Sequence, residues 1–406
     1  MRIVFLSPSG ELGGAETALL DMLASIREAR PDWSLAMIAA SAGPLVAKAA
    51  AHAQATALPF PGALARLGEW GTRGSTATQL RLGLGLLAAS APALTYARRL
   101  QRLLLDFQPA IIHSNGLKMH LLGARVRPSS ARLVWHLHDY PAARRLTARL
   151  LGSQIHRCDA MLANSESVAA EARQTFGRTV PVHAIYNAIN LDRFTPQGPR
   201  ADLDALAGLP PLPPGGVRVG LVATFAKWKG HTVFLDALAR LRGRINVRGY
   251  VVGDSIYQTD ASQVSCAQLR ARAHELGLGD MVGFTGKVDD VSSVLRALDI
   301  AVHASTDPEP FGLAIAEAMA CGRPVIVSRA GGAAEIAQGG AVFHQPGNSV
   351  ELAYRIEELA ADASRRATLE REGRDAALRL FSRARLRDAL IPVYETLAQT
   401  MYASHV

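Results

Sequence analysis

The chain has 406 residues, 49% of them hydrophobic, and a formal charge of +9 from 44 Lys and Arg against 35 Asp and Glu. That length exceeds one core and suits two domains, and the apolar content excludes a disordered chain. Three widely spaced cysteines, Cys158, Cys266 and Cys321, make neither a disulfide framework nor a metal-type pair, so a reducing cytoplasm is the expected setting.

Excess Arg suits anionic phosphates or an anionic membrane surface. With aromatics at 6% and no zinc-type spacing, a nucleic-acid partner is not expected. The start "MRIVFLSPSG" breaks at Pro8, too early for a signal peptide. The uncharged run 82–97 is shorter than a bilayer span and contains Pro92, so no transmembrane helix is expected.

Residues 2–7 (RIVFLS) read as a buried parallel strand. A Gly-rich turn follows, then a helix with Leu19, Leu23 and Ile26 on one face, ending before Pro31. Further strands are expected at 34–40, 110–114, 132–137, 160–164 and 182–186, separated by helical stretches as a right-handed βαβ sheet requires. Residues 195–216, rich in Pro and Gly, read as a surface connection rather than an element. The alternation then restarts. Strands are expected at 217–224, 248–253, 282–285, 299–304 and 324–328, with helices near 231–242, 261–276 and 289–297. The fold class is α/β: two doubly wound, Rossmann-like domains, 1–195 and 196–384, facing across a cleft, with a last helix near 385–406 packing back on the first. In the tail, Arg366–Glu370, Glu370–Arg374, Arg371–Asp375 and Asp375–Arg379 are i,i+4 pairs, which reads as a solvated helix face rather than a nucleic-acid stripe.

Several loops at strand ends carry residues suited to chemistry. Gly10, Gly13 and Gly14 lie between the first strand and its helix, either as a phosphate cradle or as a plain tight turn. Lys227 and Lys229 precede Gly230 and a helix, against the usual dipole preference; a bound anion would resolve that conflict, and solvation is the alternative. His136 and His138 fall on one strand face near its carboxyl end, with Asp139 beside them, as substrate contacts or as structural histidines; no third ligand makes a metal site. In "DPEPFGLAIAEAMACGRPVIVS" (307–328), Pro310 stops any helix, so one begins near Phe311–Gly312 and runs to Cys321, with Gly322 as its cap. The amides of Phe311, Gly312 and Leu313 then make an anion site. Glu309 and Glu317 are not an i,i+4 pair. They need separate partners, either hydroxyls of one elongated ligand or ordinary protein groups.

Together these residues resemble the GT4 family of retaining glycosyltransferases, which have the GT-B fold. The resemblance spans essentially the whole chain and is most specific at E-x7-E with F-G-L inside, here Glu309, Phe311, Gly312, Leu313 and Glu317. "ACGRPVIVSRAGGAAEI" continues it, and "GGAE", "HD", "ANSE", "YNAINLDRF", "KG" and "VVGDS" follow the family order. The resemblance implies that Glu309 contacts the donor sugar and that the amides of Phe311, Gly312 and Leu313 meet sugar hydroxyls and diphosphate. It implies Glu317 on the ribose, Lys229 neutralising the leaving diphosphate, and Gly13 and Gly14 in a loop closing over the phosphates. His138 would sit beside the transferred sugar, and Lys287–Val288 would meet the base through backbone. One departure is Thr224, where the family usually has Arg; Lys227 is the expected substitute.

The implied activity is hexosyl transfer from a nucleotide-diphosphate sugar to a hydroxyl of a carbohydrate, lipid-linked or small-molecule acceptor. Retention at the anomeric carbon and no requirement for a metal or other cofactor are expected, and no D-x-D is evident. Alternatives are a nucleotide-sugar epimerase, a sugar phosphorylase, or a weakly active sugar-nucleotide binding protein. Arg98, Arg99 and Arg102 with Leu100, Leu103 and Leu104, and the group Arg144, Arg145 and Arg149, make basic-apolar patches. These suit either a peripheral anionic membrane surface or ordinary solvated helix faces.

Overall fold

The computed structural model describes residues 1–62, 65, 76–143, 145–254 and 263–403. Arg144, singled out above, and Ser255, the last residue of "VVGDS", lie outside them. The chain divides into two compact units: Met1–Ala188 with Arg383–Val406, and Ile189–Ser382.

The first unit holds a parallel sheet of β1 (Arg2–Ser7), β2 (Ser34–Ala39), β3 (Gln54–Ala57), β4 (Ile111–Asn115), β5 (Arg132–Leu137), β6 (Ala160–Ala163) and β7 (Val182–Ala184). Its order is β3-β2-β1-β4-β5-β6-β7, so the winding reverses between β1 and β4. Period-two alternation divides each strand between two cores. Val4 and Leu6 pack with Ile112, Leu133 and Trp135 on one face. Ile3 and Phe5 pack with Leu19, Leu23, Leu390 and Tyr394 on the other. Helix Arg383–Ala403 belongs to this second core, and Arg383 bonds Asp21 at 2.8 Å on helix Gly14–Ala29. The edge strand β3, "QATA", was not read from the sequence because alanines and polar residues carry little strand signal.

This unit also buries a set of histidines. His113 Nδ1 lies 2.5 Å from the Tyr394 hydroxyl, and its Nε2 lies 3.1 Å from His136 Nδ1. His120 Nδ1 meets Ser114 Oγ at 2.8 Å. Burial holds His113 and His136 well below their ordinary range and pushes His120 down to about 3. The unfolded chain takes up these protons near pH 6.5, whereas the folded chain does not. Stability is therefore full above that pH and is lost as the pH falls from about 6.5 toward the folded values, by roughly 1.4 kcal/mol per histidine per pH unit. Urea unfolding of this unit should lose about 4 kcal/mol between pH 7.5 and 5.5. Equal stability at the two pH values would mean that the histidines titrate freely.

The second unit repeats the plan with β8 (Val217–Val222), β9 (Val247–Val252), β10 (Val282–Gly286), β11 (Ile300–His303), β12 (Val325–Ser328) and β13 (Ala341–His344). Its order is β10-β9-β8-β11-β12-β13, all parallel, with the reversal between β8 and β11. Short β13 was not anticipated.

Two expectations are corrected here. Residues 195–216 are not merely a surface connection. They contain helix Leu203–Ala207, capped by Asp202 and closed by Gly208 in the left-handed region, and Asp204 within it is buried. Its carboxylate accepts from Arg248 and Tyr250 at 2.5 Å each, from Arg218 at 3.0 Å and from the Leu212 amide at 3.1 Å. The tail arginines also depart from the i,i+4 pattern. Arg366 donates to the carbonyls of Leu359 and Ala360, and Arg374 to those of Phe194 and Ala320. Leu359, Ala360 and Ala320 lie in the last turns of their helices, where carbonyls lack intrahelical donors and a half-buried guanidinium can satisfy them. Among the described residues no helix is long and apolar enough to cross a membrane.

Candidate functional site

In a doubly wound sheet the loops beside the winding reversal diverge and leave a crevice at the carboxyl ends of the strands. In the second unit those loops follow β8 and β11. The first ends in a turn at Lys227–Lys229 and then Gly230, whose φ is +73°. A Cβ on Gly230 would stand 1.8 Å from the Ala304 carbonyl oxygen, so only glycine lets the two loops touch. The Thr306 amide donates to the Trp228 carbonyl at 2.8 Å and staples them.

That close approach brings Lys229 to Glu309. Lys229 Nζ lies 4.2 Å from the Trp228 ring centroid and 2.5 Å from Glu309 Oε1. The other carboxylate oxygen, Oε2, meets His303 Nε2 at 2.6 Å and accepts from Ser305 Oγ at 2.9 Å. His303 and Ser305 are themselves held from behind. Ser328 Oγ, at the end of β12, donates to the Ser305 carbonyl at 2.6 Å, and His344 Nε2, at the end of β13, lies 3.1 Å from the His303 carbonyl. Glu309 is only 7% exposed. Burial pushes its carboxyl up, but the charges and hydrogen bonds of Lys229 and His303 outweigh that and hold it well below the usual range. The site thus carries a fixed anion beside a cation.

Lys229, His303, Ser305, Glu309, Gly312 and Ile315 line one pocket. Gly312, at φ +95°, caps helix Leu313–Ala320; a Cβ there would fall 2.7 Å from Ile315 Cδ1. Of the residues singled out from the sequence, this pocket joins Lys229, Glu309 and Gly312. Phe311 packs edge-on against Phe381 at 5.7 Å and is 2% exposed, so its ring anchors the loop and its backbone alone can meet a ligand. Leu313 opens the helix, and Glu317 lies half-buried further along it; neither lines the pocket. Lys227 is exposed on its turn, Thr224 is half-buried with its carbonyl accepting from the Ala226 amide, and half-buried Val288 follows β10.

The first unit holds Gly13, Gly14 and His138. Gly13 caps helix Gly14–Ala29, and its amide donates to Glu16 Oε2 at 3.1 Å. The chain's own carboxylate therefore occupies an amide expected to serve a phosphate, a capping-box contact that glycine followed three residues later by Glu makes available. Gly14 is exposed. His138 follows β5, with Nε2 2.9 Å from Asn115 Oδ1 and its ring 4.0 Å from that of His136. Asn115 ends β4, next to β1 at the winding reversal.

His303, Ser305 and Asn115 were missed in the sequence. The signal that singled out His138, a polar side chain at the carboxyl end of a buried strand, applies equally to His303 in "AVHAS" and to Asn115 in "IIHSN".

Comparison with known proteins bears on both units. The family described as Glycosyltransferase Family 4 matches residues 13–193, and Glycosyl transferases group 1 matches residues 211–376. D-inositol 3-phosphate glycosyltransferase 2 of Catenulispora acidiphila is 32% identical over 250 residues, 59% of this chain and 55% of that protein. The lipopolysaccharide core biosynthesis glycosyltransferase LpsE of Rhizobium meliloti is 29% identical over 257 residues, 63% of this chain and 67% of that one. The chain spans about half the length of the first curated relatives it matches. The crystal structure of Anabaena Alr3699/HepE in complex with UDP superposes with a TM-score of 0.77 at 25% identity, covering 98% of this chain and 100% of that one. Another structure of that protein holds UDP-glucose. With one family description on each unit and a fold match along the whole length, the chain belongs to the GT4 family of glycosyltransferases and has the GT-B fold of two Rossmann-like domains.

Proposed function

We propose that the protein moves a hexose from a nucleotide-diphosphate sugar to an acceptor hydroxyl, with retention at the anomeric carbon and without a metal ion. The second unit takes the donor and the first takes the acceptor. The observation that carries this reading is the buried Glu309–Lys229 pair, braced by His303 and Ser305, beside Gly312 at the start of a helix. Departure of a nucleoside diphosphate needs charge stabilisation, and Lys229 with the amides of Phe311, Gly312 and Leu313 supplies it in a partly dry crevice. Glu309 positions the sugar as an anion. Lys229, which contacts Glu309 here, neutralises the departing diphosphate, with Lys227 adding charge where Thr224 cannot. Glu317 holds the ribose, and Val288 meets the base through its backbone. That related HepE structures hold UDP and UDP-glucose favours a uridine donor.

The test is turnover with UDP-, GDP- and ADP-sugars across carbohydrate, lipid-linked and small-molecule acceptors, in buffer with and without EDTA. NMR of the product then reads its anomeric configuration. Retained configuration and EDTA-insensitive rates are expected; an inverted product or loss of activity on chelation would refute the corresponding part. Glu317→Ala should weaken binding of the free nucleotide about tenfold, the order expected for losing a charge-assisted hydrogen bond. Unchanged affinity would remove Glu317 from the ribose.

A peripheral position on an anionic membrane is part of the same proposal. Leu146 and Leu150 are exposed one turn apart on helix Arg145–Ser153, beside Arg145 and Arg149. Sedimentation with anionic vesicles at low and high salt checks it; binding that is absent, or indifferent to salt, would count against it.

A further inference from the structure

Asn115 is buried at the end of β4, and both ends of its amide are engaged. Nδ2 donates to the Leu6 carbonyl at 3.3 Å, which fixes the orientation of the amide and turns Oδ1 toward His138 Nε2 at 2.9 Å. An amide oxygen can only accept, so Nε2 of His138 must carry the proton. The other ring nitrogen, Nδ1, is then an unprotonated acceptor, and among the described residues the contact with Asn115 is the ring's hydrogen bond. The His136 ring, 4.0 Å away at 41°, limits rotation of the imidazole. His136 is in turn tied through His113 to Tyr394 on the last helix.

We propose that Asn115 is a positioning residue that locks His138 in the Nε2–H tautomer, so that His138 meets a ligand hydroxyl as a hydrogen-bond acceptor through Nδ1 rather than as a donor. This rests on the transferase reading for the identity of the ligand, but not for the tautomer. Burial supports it by pushing His138 down to about 4, which keeps the ring neutral at working pH. His136, His113 and His120, which couple electrostatically to His138, are likewise held neutral by burial, and Asp139 adjoins His138 in the chain. A neutral ring with one committed donor has one role left for its second nitrogen.

The test uses the full-length protein with 15N-labelled histidine, assigned through His138→Gln. Long-range proton–nitrogen correlation should show wild-type His138 protonated at Nε2 alone, and Asn115→Ala should show a mixture of tautomers. A wild-type ring protonated at Nδ1, or an unchanged Nε2–H form in Asn115→Ala, would overturn the proposal. Asn115→Asp keeps the acceptor and adds a charge that favours the imidazolium, removing the Nδ1 lone pair as pH falls. Its kcat should decline below about pH 7 while wild type stays level to pH 5.5, with KM for the acceptor within twofold. Matching pH profiles would also overturn it. If wild type turns over no sugar nucleotide, the transferase reading fails and the tautomer measurement still decides the role of Asn115.

Discussion

Glu309→Ala is expected to lower sugar transfer by roughly 10²- to 10³-fold, the range found when a preorganised charged or polar group is removed from a reacting centre. The nucleoside diphosphate should still bind. The substitution removes the anion that Lys229, His303 and Ser305 converge on, and it leaves the loop stapling between Thr306 and Trp228 in place. Lys229, released from its partner, becomes more available to a phosphate, so affinity for free UDP should hold or rise. Calorimetry with UDP and initial rates with the best donor separate the two effects. Transfer within a few-fold of wild type would remove Glu309 from the chemistry. Loss of UDP binding together with transfer would mean that the site had collapsed.

Asp204→Ala should destabilise the second unit by about 3–5 kcal/mol, the cost of breaking a buried ion pair by removing one partner. Burial pushes the Asp204 carboxyl up, but hydrogen bonds from Tyr250, the Leu212 amide, Arg248 and Arg218 outweigh it and hold it well below the usual range. Without it, Arg248 is left buried opposite an apolar methyl, and the 203–212 segment loses its tie to β8 and β9. A drop in Tm of about 10 °C is expected for a unit of this size. Asp204→Asn, which keeps the acceptor oxygen but not the charge, should fall between the two. A fall under about 2 °C for the alanine variant would show that this cluster is incidental to stability.

Much of the architecture was legible because parallel strands buried on both faces read as continuous apolar runs. Residues 2–7 and 132–137 are of that kind. Strands β3 and β13, four residues each and at sheet edges, lack the length and the β-branched content that make a strand visible. The segment 195–216 misled for a different reason. Its prolines and glycines mark turns correctly, but the buried acid between them signals its role only through Arg218, Arg248 and Tyr250, which are 14 or more residues away in sequence.

For the site, local sequence chemistry determined which loops matter: Gly230 and Gly312 need conformations that other residues resist, and each stands beside a charged residue at a strand end. The family followed from the order of such motifs along the chain. What only the tertiary structure decided is how the charges are paired. Glu309 and Lys229 are 80 residues apart, and nothing in their local patterns specifies that one carboxylate oxygen takes the lysine while the other takes His303 and Ser305. Likewise the Gly13 amide, expected to await a phosphate, already receives Glu16, and the tautomer of His138 is set by Asn115 from a neighbouring strand. Sequence patterns record backbone conformation and burial, which are properties of short segments. Protonation, pairing and hydrogen-bond direction depend on atoms that come within 3 Å only when the sheets are assembled.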